Sequence, residues 1–251
     1  MLMTPGPPTT DNELCRVLDV DPSLAESIPP ELRERAVAEC VAGVITLPTG
    51  RWRNAPAVTG GGGIGLLVLD GLLVRRVGIE GRFGAELLGE GDLLRPWEGE
   101  EDLPTLPLTT AWRVLETARL AVLDEAFMAH LADYPQLGGR LVGRALARSR
   151  NIAVNMAIVH QARVDVRLHM LFWHLASRWG RVGSGSVTVP LRLTHAVLAE
   201  LAAARRPTVT SALTGLSRRG LVRSTDAGWV LNGEPPGELG DVARLADIAT
   251  G

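Results

Sequence analysis

Residues 194–222 read THAVLAELAAARRPTVTSALTGLSRRGLV. Two runs rich in alanine and leucine, LAELAAA and SALTGL, are separated by Arg205-Arg206 and restarted on Pro207-Thr208. A buried core helix gains nothing from two arginines and a proline at its centre. The spacing predicts two helices of roughly eight and eleven residues joined by three or four, the proportions of a helix-turn-helix. Ala203 falls where the tight turn requires a small side chain. Pro207 suits the first turn of the second helix. That helix end offers free backbone N–H groups and the positive half of the helix dipole. Arg205, Arg206, Thr208, Thr210 and Ser211 crowd it with guanidinium and hydroxyl donors. Arginine so placed suits a bidentate contact with guanine O6 and N7 in a major groove, worth roughly 1–3 kcal/mol of base discrimination. Arg218, Arg219 and Arg223 suit phosphates, which supply affinity but little sequence choice. The competing reading is a helix pair used for protein contacts alone.

Charge supports a polyanionic partner. Lysine is absent, so all 26 basic residues are arginine. Residues 1–134 hold 11 arginines against 21 acids, a net of −10. Residues 135–225 hold 14 arginines against Asp165 and Glu200, a net of +12. Residues 226–251 return to −4. A basic block in a near-neutral chain points to an anionic partner or to the chain's own acidic half. After Gly220, LVRSTDAGWVL reads as strand, turn, strand: a wing.

Upstream, residues 135–167 predict one long helix led by Pro135. Leu141, Arg148, Ile152, Asn155 and Val159 lie on one stripe, and Val142, Leu146, Ala153, Met156 and His160 on a second. One stripe can face the chain's own core and the other a twin helix, as in a two-stranded coiled coil. A helix buried on both sides within one chain is the alternative. We assign the first stripe to the dimer helix. Residues 168–180 read as a further helix ended by Gly180, RVGSGS as a turn and VTVPLRL as a short strand pair.

The first half reads as β-rich. Residues 30–46 predict a short helix. TGRWRN and VTGGGGIG form a glycine-rich loop; no GK[ST] follows, so a turn is favoured over a phosphate cradle. IGLLVL and LLVRRV joined by Asp70-Gly71 predict a hairpin. Gly78, Gly81, Gly84, Gly89 and Gly91 punctuate short segments, and FGAELL and TAWRVLETARLAVL supply further strands. Together they suggest an antiparallel barrel or roll ending near residue 124, after which helical periodicity resumes. The fold class is therefore α+β: an antiparallel, cupin-like β-roll at 30–134, a long helix at 135–167 and a winged helix at 168–235. A flexible leader (1–29) and a tail (236–251) flank them.

Several function classes fall away. No apolar run reaches the length of a membrane span, and the first residues lack a signal-peptide pattern. Cys15 and Cys40 are too few and too far apart for a zinc or iron–sulfur motif; free thiols in a reducing cytoplasm are expected. His169 and His174 are five apart, off the same-face spacing of paired ligands, and His160 lies on an apolar stripe. No catalytic set of carboxylates or Ser/His/Asp stands out, so an enzyme is not expected, and no metal site or cofactor is expected.

The order of these parts resembles the Crp/Fnr superfamily of bacterial transcription regulators over about residues 60–232, most specifically over LRLTHAVLAELAAARRPTVTSALTGLSRRGLV. The resemblance implies a cyclic-nucleotide-binding-type roll, a dimerising helix and a winged helix that reads double-stranded DNA. It places Arg206 at the position aimed at guanine, Pro207 and Ser211 at two other base-reading positions, Thr208 at a phosphate contact and Thr194 at the cap of the first helix. The effector half departs from the family: no Gly-Glu-Leu is present, and Thr109, Thr110 and Ala111 align with its Arg-Ser-Ala triplet. Arg95 and Trp97, with these three, mark the altered pocket. Glu98, Glu100, Glu101 and Asp102 make the neighbouring loop acidic. Cyclic AMP is thus not expected to bind in the usual mode. The sequence reads as a cytoplasmic homodimer on a pseudo-palindromic operator, with RNA polymerase as a further partner; a ligand-independent dimeric interaction module is the rival.

Overall fold

The computed structural model describes residues 13–52, 63–79, 81–95 and 109–236. The chain divides into two compact units, Met1–Ile152 and Ala153–Gly251.

The first unit begins with β1 (Leu14–Arg16), α1 (Val17–Val20) and α2 (Pro30–Glu39). The strands β2 (Val41–Leu47), β3 (Gly50–Trp52), β4 (Gly65–Ile79), β5 (Arg82–Gly89), β6 (Leu93–Leu94) and β7 (Thr109–Leu123) follow, then α3 (Glu125–His130) and the start of α4 (Pro135–Val159). The sheet is antiparallel in the order β1-β2-β7-β4-β5, with β3 also on β7 and β6 also on β4. Among the described residues, this is the roll that glycine punctuation predicts.

Two apolar clusters share the long strands. Leu67, Leu69, Ala121 and Leu123 face a layer built from Val17, Leu18, Ile28, Phe127, Tyr134 and Leu141. Leu66, Val68, Leu120 and Val122 face the roll interior with Trp52, Leu73 and Val114. The inward residues of β4 thus change from even-numbered to odd-numbered between Val68 and Leu73. The register against β7 shifts between those points, as strand irregularities do.

That irregularity corrects the hairpin expected at Asp70-Gly71. The chain runs straight on through these residues as one 15-residue strand. Gly71 has φ +95°, and a Cβ there would lie 2.5 Å from the Cα of Ala118. The same tolerance of positive φ that suits a tight turn here lets two strands approach. The reversal comes later, where Ile79 pairs with Arg82 and Gly81 takes φ +79°.

Three further expectations change. The helix foreseen to residue 46 stops at Glu39, because Val41, Val44, Ile45 and Thr46 are β-formers in a strand that pairs with β7. Residues 14–28 are no leader: Cys15, Val17, Leu18, Leu24 and Ile28 are core. Residues 1–12 and the tail beyond 236 lie outside the described residues. The long helix ends at Val159 and a second, α5 (Val164–Trp179), begins at Val164. His160 donates a ring N–H to the carbonyl of Met156 at 2.6 Å, and Arg163 pairs with Asp165 to open α5.

The second unit continues with β8 (Arg181–Gly183), β9 (Ser186–Val189), α6 (His195–Leu201), α7 (Arg206–Arg218), β10 (Val222–Thr225) and β11 (Gly228–Asn232). Its antiparallel sheet has the order β10-β11-β9-β8. RVGSGS is therefore the hairpin between β8 and β9, whereas Pro190 ends the strand and residues 191–193 do not extend it. Trp229 packs its ring 4.9 Å from Phe172 and anchors the wing on α5.

Candidate nucleic-acid interface

The turn between α6 and α7 is held from inside. The hydroxyl oxygen of Thr194 accepts the N–H of Val197 at 3.3 Å and starts α6. At the other end Ala203 takes φ +47°. The N–H of Ala204 reaches the carbonyl of Ala199 at 2.9 Å, and that of Ala203 the carbonyl of Glu200 at 3.2 Å. This pair of bonds is a Schellman cap, usually built on glycine. Arg167 on α5 donates to the carbonyls of Ala202 and Ala203, both at 3.3 Å, and fixes the turn from below. The closing Arg-Gly-Leu has the same logic. Gly220 takes φ +70°, while Leu221 N–H bonds the Leu216 carbonyl at 3.0 Å and Gly220 N–H the Ser217 carbonyl at 2.9 Å.

Helix α7 buries Val209, Leu213 and Leu216 and leaves its N-terminal end in solvent. Arg205, Arg206, Pro207, Thr208, Thr210 and Ser211 are all exposed. The structure brings these six predicted residues together at one helix end, and no ion pair to Arg205 or Arg206 is found among the described residues. The hydroxyls differ from expectation in one respect. Thr210 donates to the carbonyl of Arg206 at 3.1 Å, and Ser211 to that of Pro207 at 3.3 Å. With their protons so engaged, both hydroxyls act toward other groups as acceptors. His195 lies 3.0 Å from Thr210 Oγ1, and since the threonine proton is already committed, the imidazole supplies the donor.

The flanking arginines separate into two groups. Arg218 and Arg223 are exposed. Arg219 instead pairs with Asp165 at 3.0 Å, as does Arg163 at 2.8 Å. One carboxylate at the start of α5 thus latches the C-terminal end of α7, about 20 Å along the helix from Arg206. The hydrogen bond from Arg163, more than the nearby charges, holds the Asp165 carboxyl below its ordinary range. Sequence reasoning missed Arg192. It is exposed and lines, with Thr194, Ser224, Thr225 and Asp226, an open pocket of about 420 Å³ beside the wing.

Residues 166–232 match the Crp-like helix-turn-helix domain family. This segment is a Crp-like helix-turn-helix domain. The chain also resembles curated relatives. A CRP-like cAMP-activated global transcriptional regulator of Mycobacterium tuberculosis is 29% identical over 118 residues, 47% of this chain and 53% of that protein. The chain thus spans about half the length of the curated relatives it matches. A cyclic nucleotide-binding domain containing protein from Listeria monocytogenes superposes with a TM-score of 0.62 at 13% identity, covering 86% of this chain and 97% of that one. A transcriptional regulator of the CRP family from Thermus thermophilus gives 0.51 at 19% identity, covering 76% and 93%. The chain therefore has the α+β fold of CRP/FNR-type structures, roll and Crp-like domain together.

The roll does not gather the residues expected of its pocket. Thr109, Thr110 and Ala111 are exposed at the start of β7, opposite Gly78, Val77 and Arg76. Arg95 lies against Gly65, at the other end of β4, so it does not stand in for the missing arginine. Trp97 and the acidic loop fall outside the described residues. What the roll does assemble went unforeseen. Glu86 on β5 accepts Arg75 of β4 at 2.6 Å and Arg148 of α4 at 2.6 Å. Arg75 lies over the Trp112 ring, which meets Trp52 edge-on at 5.5 Å. Burial pulls the Arg75 guanidinium below its ordinary range, against the opposing pull of Glu86.

The same contacts reassign the stripes of α4. Leu141 is buried in the first unit's core, Arg148 is bound to Glu86 and to the Leu93 carbonyl, and Ile152, Asn155 and Val159 are half-buried. The outward stripe is the other one: Val142, Leu146 and Met156 are 60%, 63% and 57% exposed. No helix among the described residues is long and apolar enough to cross a membrane.

Proposed function

We propose that this chain is a homodimeric, sequence-specific DNA-binding transcription regulator of the Crp/Fnr type, acting in the cytoplasm. The observation that carries the reading is the exposed start of α7, where Arg205 and Arg206 stand unpaired among the described residues in a block of net charge +12. Arg206 reads a base edge, Arg205 and Thr208 position the backbone, and Arg218, Arg223 and Arg192 neutralise phosphates. Val142, Leu146 and Met156 form the seam with a second copy, which presents two α7 helices about one DNA turn apart, roughly 34 Å, to a pseudo-palindrome. RNA polymerase is the downstream partner.

Selection of genomic fragments by the purified protein tests this. Enrichment of a two-fold-symmetric site supports it; binding with no sequence preference refutes it. Arg206→Ala abolishes the preference and retains weak, salt-sensitive binding, whereas Arg218→Ala keeps the preference and reduces the log–log salt slope by about one. Unchanged preference removes Arg206 from base reading.

Cyclic AMP does not act on this roll in the usual way, because an exposed threonine occupies the aligned arginine position. Saturable cyclic AMP binding at micromolar concentration would overturn that. A second reading, a roll that works without a small ligand, is favoured by the engagement of both Arg75 and Arg148 by Glu86 within the chain itself. An unchanged melting temperature across a panel of metabolites supports it.

A further inference from the structure

The first unit carries a cluster that neither the roll nor the Crp-like domain uses. Glu39 closes α2, His130 closes α3, and Asp133 lies in the turn that leads into α4. Strand β2 follows Glu39 closely and pairs with β7, and β7 feeds α3 through Asp124, whose carboxylate accepts the N–H of Phe127 at 2.9 Å. This path brings residues distant in sequence side by side. One ligand atom from each of Glu39, His130 and Asp133 lies within 4.8 Å of the other two.

The surroundings hold these groups in place. Tyr134 donates its hydroxyl to Glu39 Oε2 at 2.6 Å, and Arg35 donates to Oε1 at 2.8 Å. The carbonyl of His130 accepts the N–H groups of Asp133 at 3.1 Å and Tyr134 at 3.2 Å, which fixes the turn. A carboxylate offers about four lone-pair sites, so Glu39 retains acceptor capacity beyond these two bonds. Arg35 offsets one of the two carboxylate charges, and the other stands beside the imidazole of His130. Glu39 and His130 are half-buried and Asp133 is exposed, so the cluster opens to water on one side.

We propose that Glu39, His130 and Asp133 bind a divalent transition-metal ion of the zinc class, with water completing the shell. One imidazole and two carboxylates form a mixed nitrogen–oxygen set that suits Zn²⁺, whereas Mg²⁺ favours oxygen ligands alone. Metal–ligand bonds of about 2.0–2.2 Å draw the three atoms closer together, and the exposed Asp133 supplies that movement. Tyr134 is a positioning residue, acting through Glu39 as outer partners of ligating carboxylates do. The ion would tie the end of α2 to the junction of α3 and α4. This inference stands apart from the reading of α7.

The test uses the full chain, tag-free and stripped with a chelator, titrated with Zn²⁺ and separately with Mg²⁺ by calorimetry and thermal melting. The expected result is one Zn²⁺ per chain, a raised melting temperature and no response to Mg²⁺. His130→Ala and Asp133→Asn each abolish the response, and Tyr134→Phe weakens Zn²⁺ affinity by about 10–100-fold. His160→Ala, at the exposed end of α4, leaves it intact. Absence of Zn²⁺ binding, equal binding of Mg²⁺, or binding that survives His130→Ala overturns the proposal. Anomalous scattering at the zinc edge locates the ion independently of any variant, and density away from these three residues overturns it as well.

Discussion

Ala203 is the one non-glycine residue among the described residues with positive φ, at +47°. A left-handed conformation costs an L-residue with a Cβ roughly 1–2 kcal/mol, and glycine recovers it less the entropy of a looser unfolded chain. Ala203→Gly therefore raises stability by about 0.5–1 kcal/mol, a gain of a few degrees in the melting temperature measured by calorimetry. Asp165 makes a second residue-scale prediction. Its carboxyl is held low by Arg163 and Arg219, so its contribution is present above the unfolded value near pH 4 and is lost as pH falls through the folded one. Asp165→Asn melts lower than the parent at pH 7, and the gap narrows below about pH 4; a gap independent of pH removes the latch. Residue-scale reading of the sequence succeeded where the demand was local. Thr194, Pro207 and Gly220 announce caps and turns by their own chemistry. It failed at Asp70-Gly71, because a hairpin and a strand irregularity make the same local demand for positive φ, and only pairing with the distant Ala118 distinguishes them.

At the scale of elements, α4 has two apolar faces whose uses the spacing alone does not assign. Leu137 and Leu141 are in the core, and Arg144 and Arg148 bond the Gly91 and Leu93 carbonyls, so that face is bound to the roll. Val142 and Leu146 face solvent. On the proposed seam, Leu146→Arg converts the dimer to a monomer and removes the concentration dependence of its melting temperature, whereas Leu141→Ala leaves association intact and destabilises by about 2–5 kcal/mol, the range for a buried leucine. Sedimentation and calorimetry together separate the two outcomes, and a dimer that tolerates Leu146→Arg rejects this seam. The end of α4 was illegible because residues 160–163 contain neither glycine nor proline; the break rests on His160 and on the Arg163–Asp165 pair, which read as ordinary helix-compatible residues. Likewise residues 14–28, with Pro22 inside them and Pro29 just beyond, resemble a loose leader until packing places five apolar side chains in the core.

For the molecule as a whole, the order of roll, helix and Crp-like domain was legible because each announces itself in a different currency: glycine spacing, twin apolar stripes, and an arginine-crowned helix start. The roll's charged centre was not, since Arg75, Glu86 and Arg148 come from three elements with no common motif. Strand β4 serves both apolar clusters, with Leu66 and Val68 on one side and Leu67 and Leu69 on the other. Neither layer of the first unit can then come apart while the other stays closed, for the same backbone ribbon is the wall between them. Amide hydrogens at residues 66–69 and their partners at 120–123 should exchange only when that entire unit opens, at one shared rate and with one denaturant sensitivity.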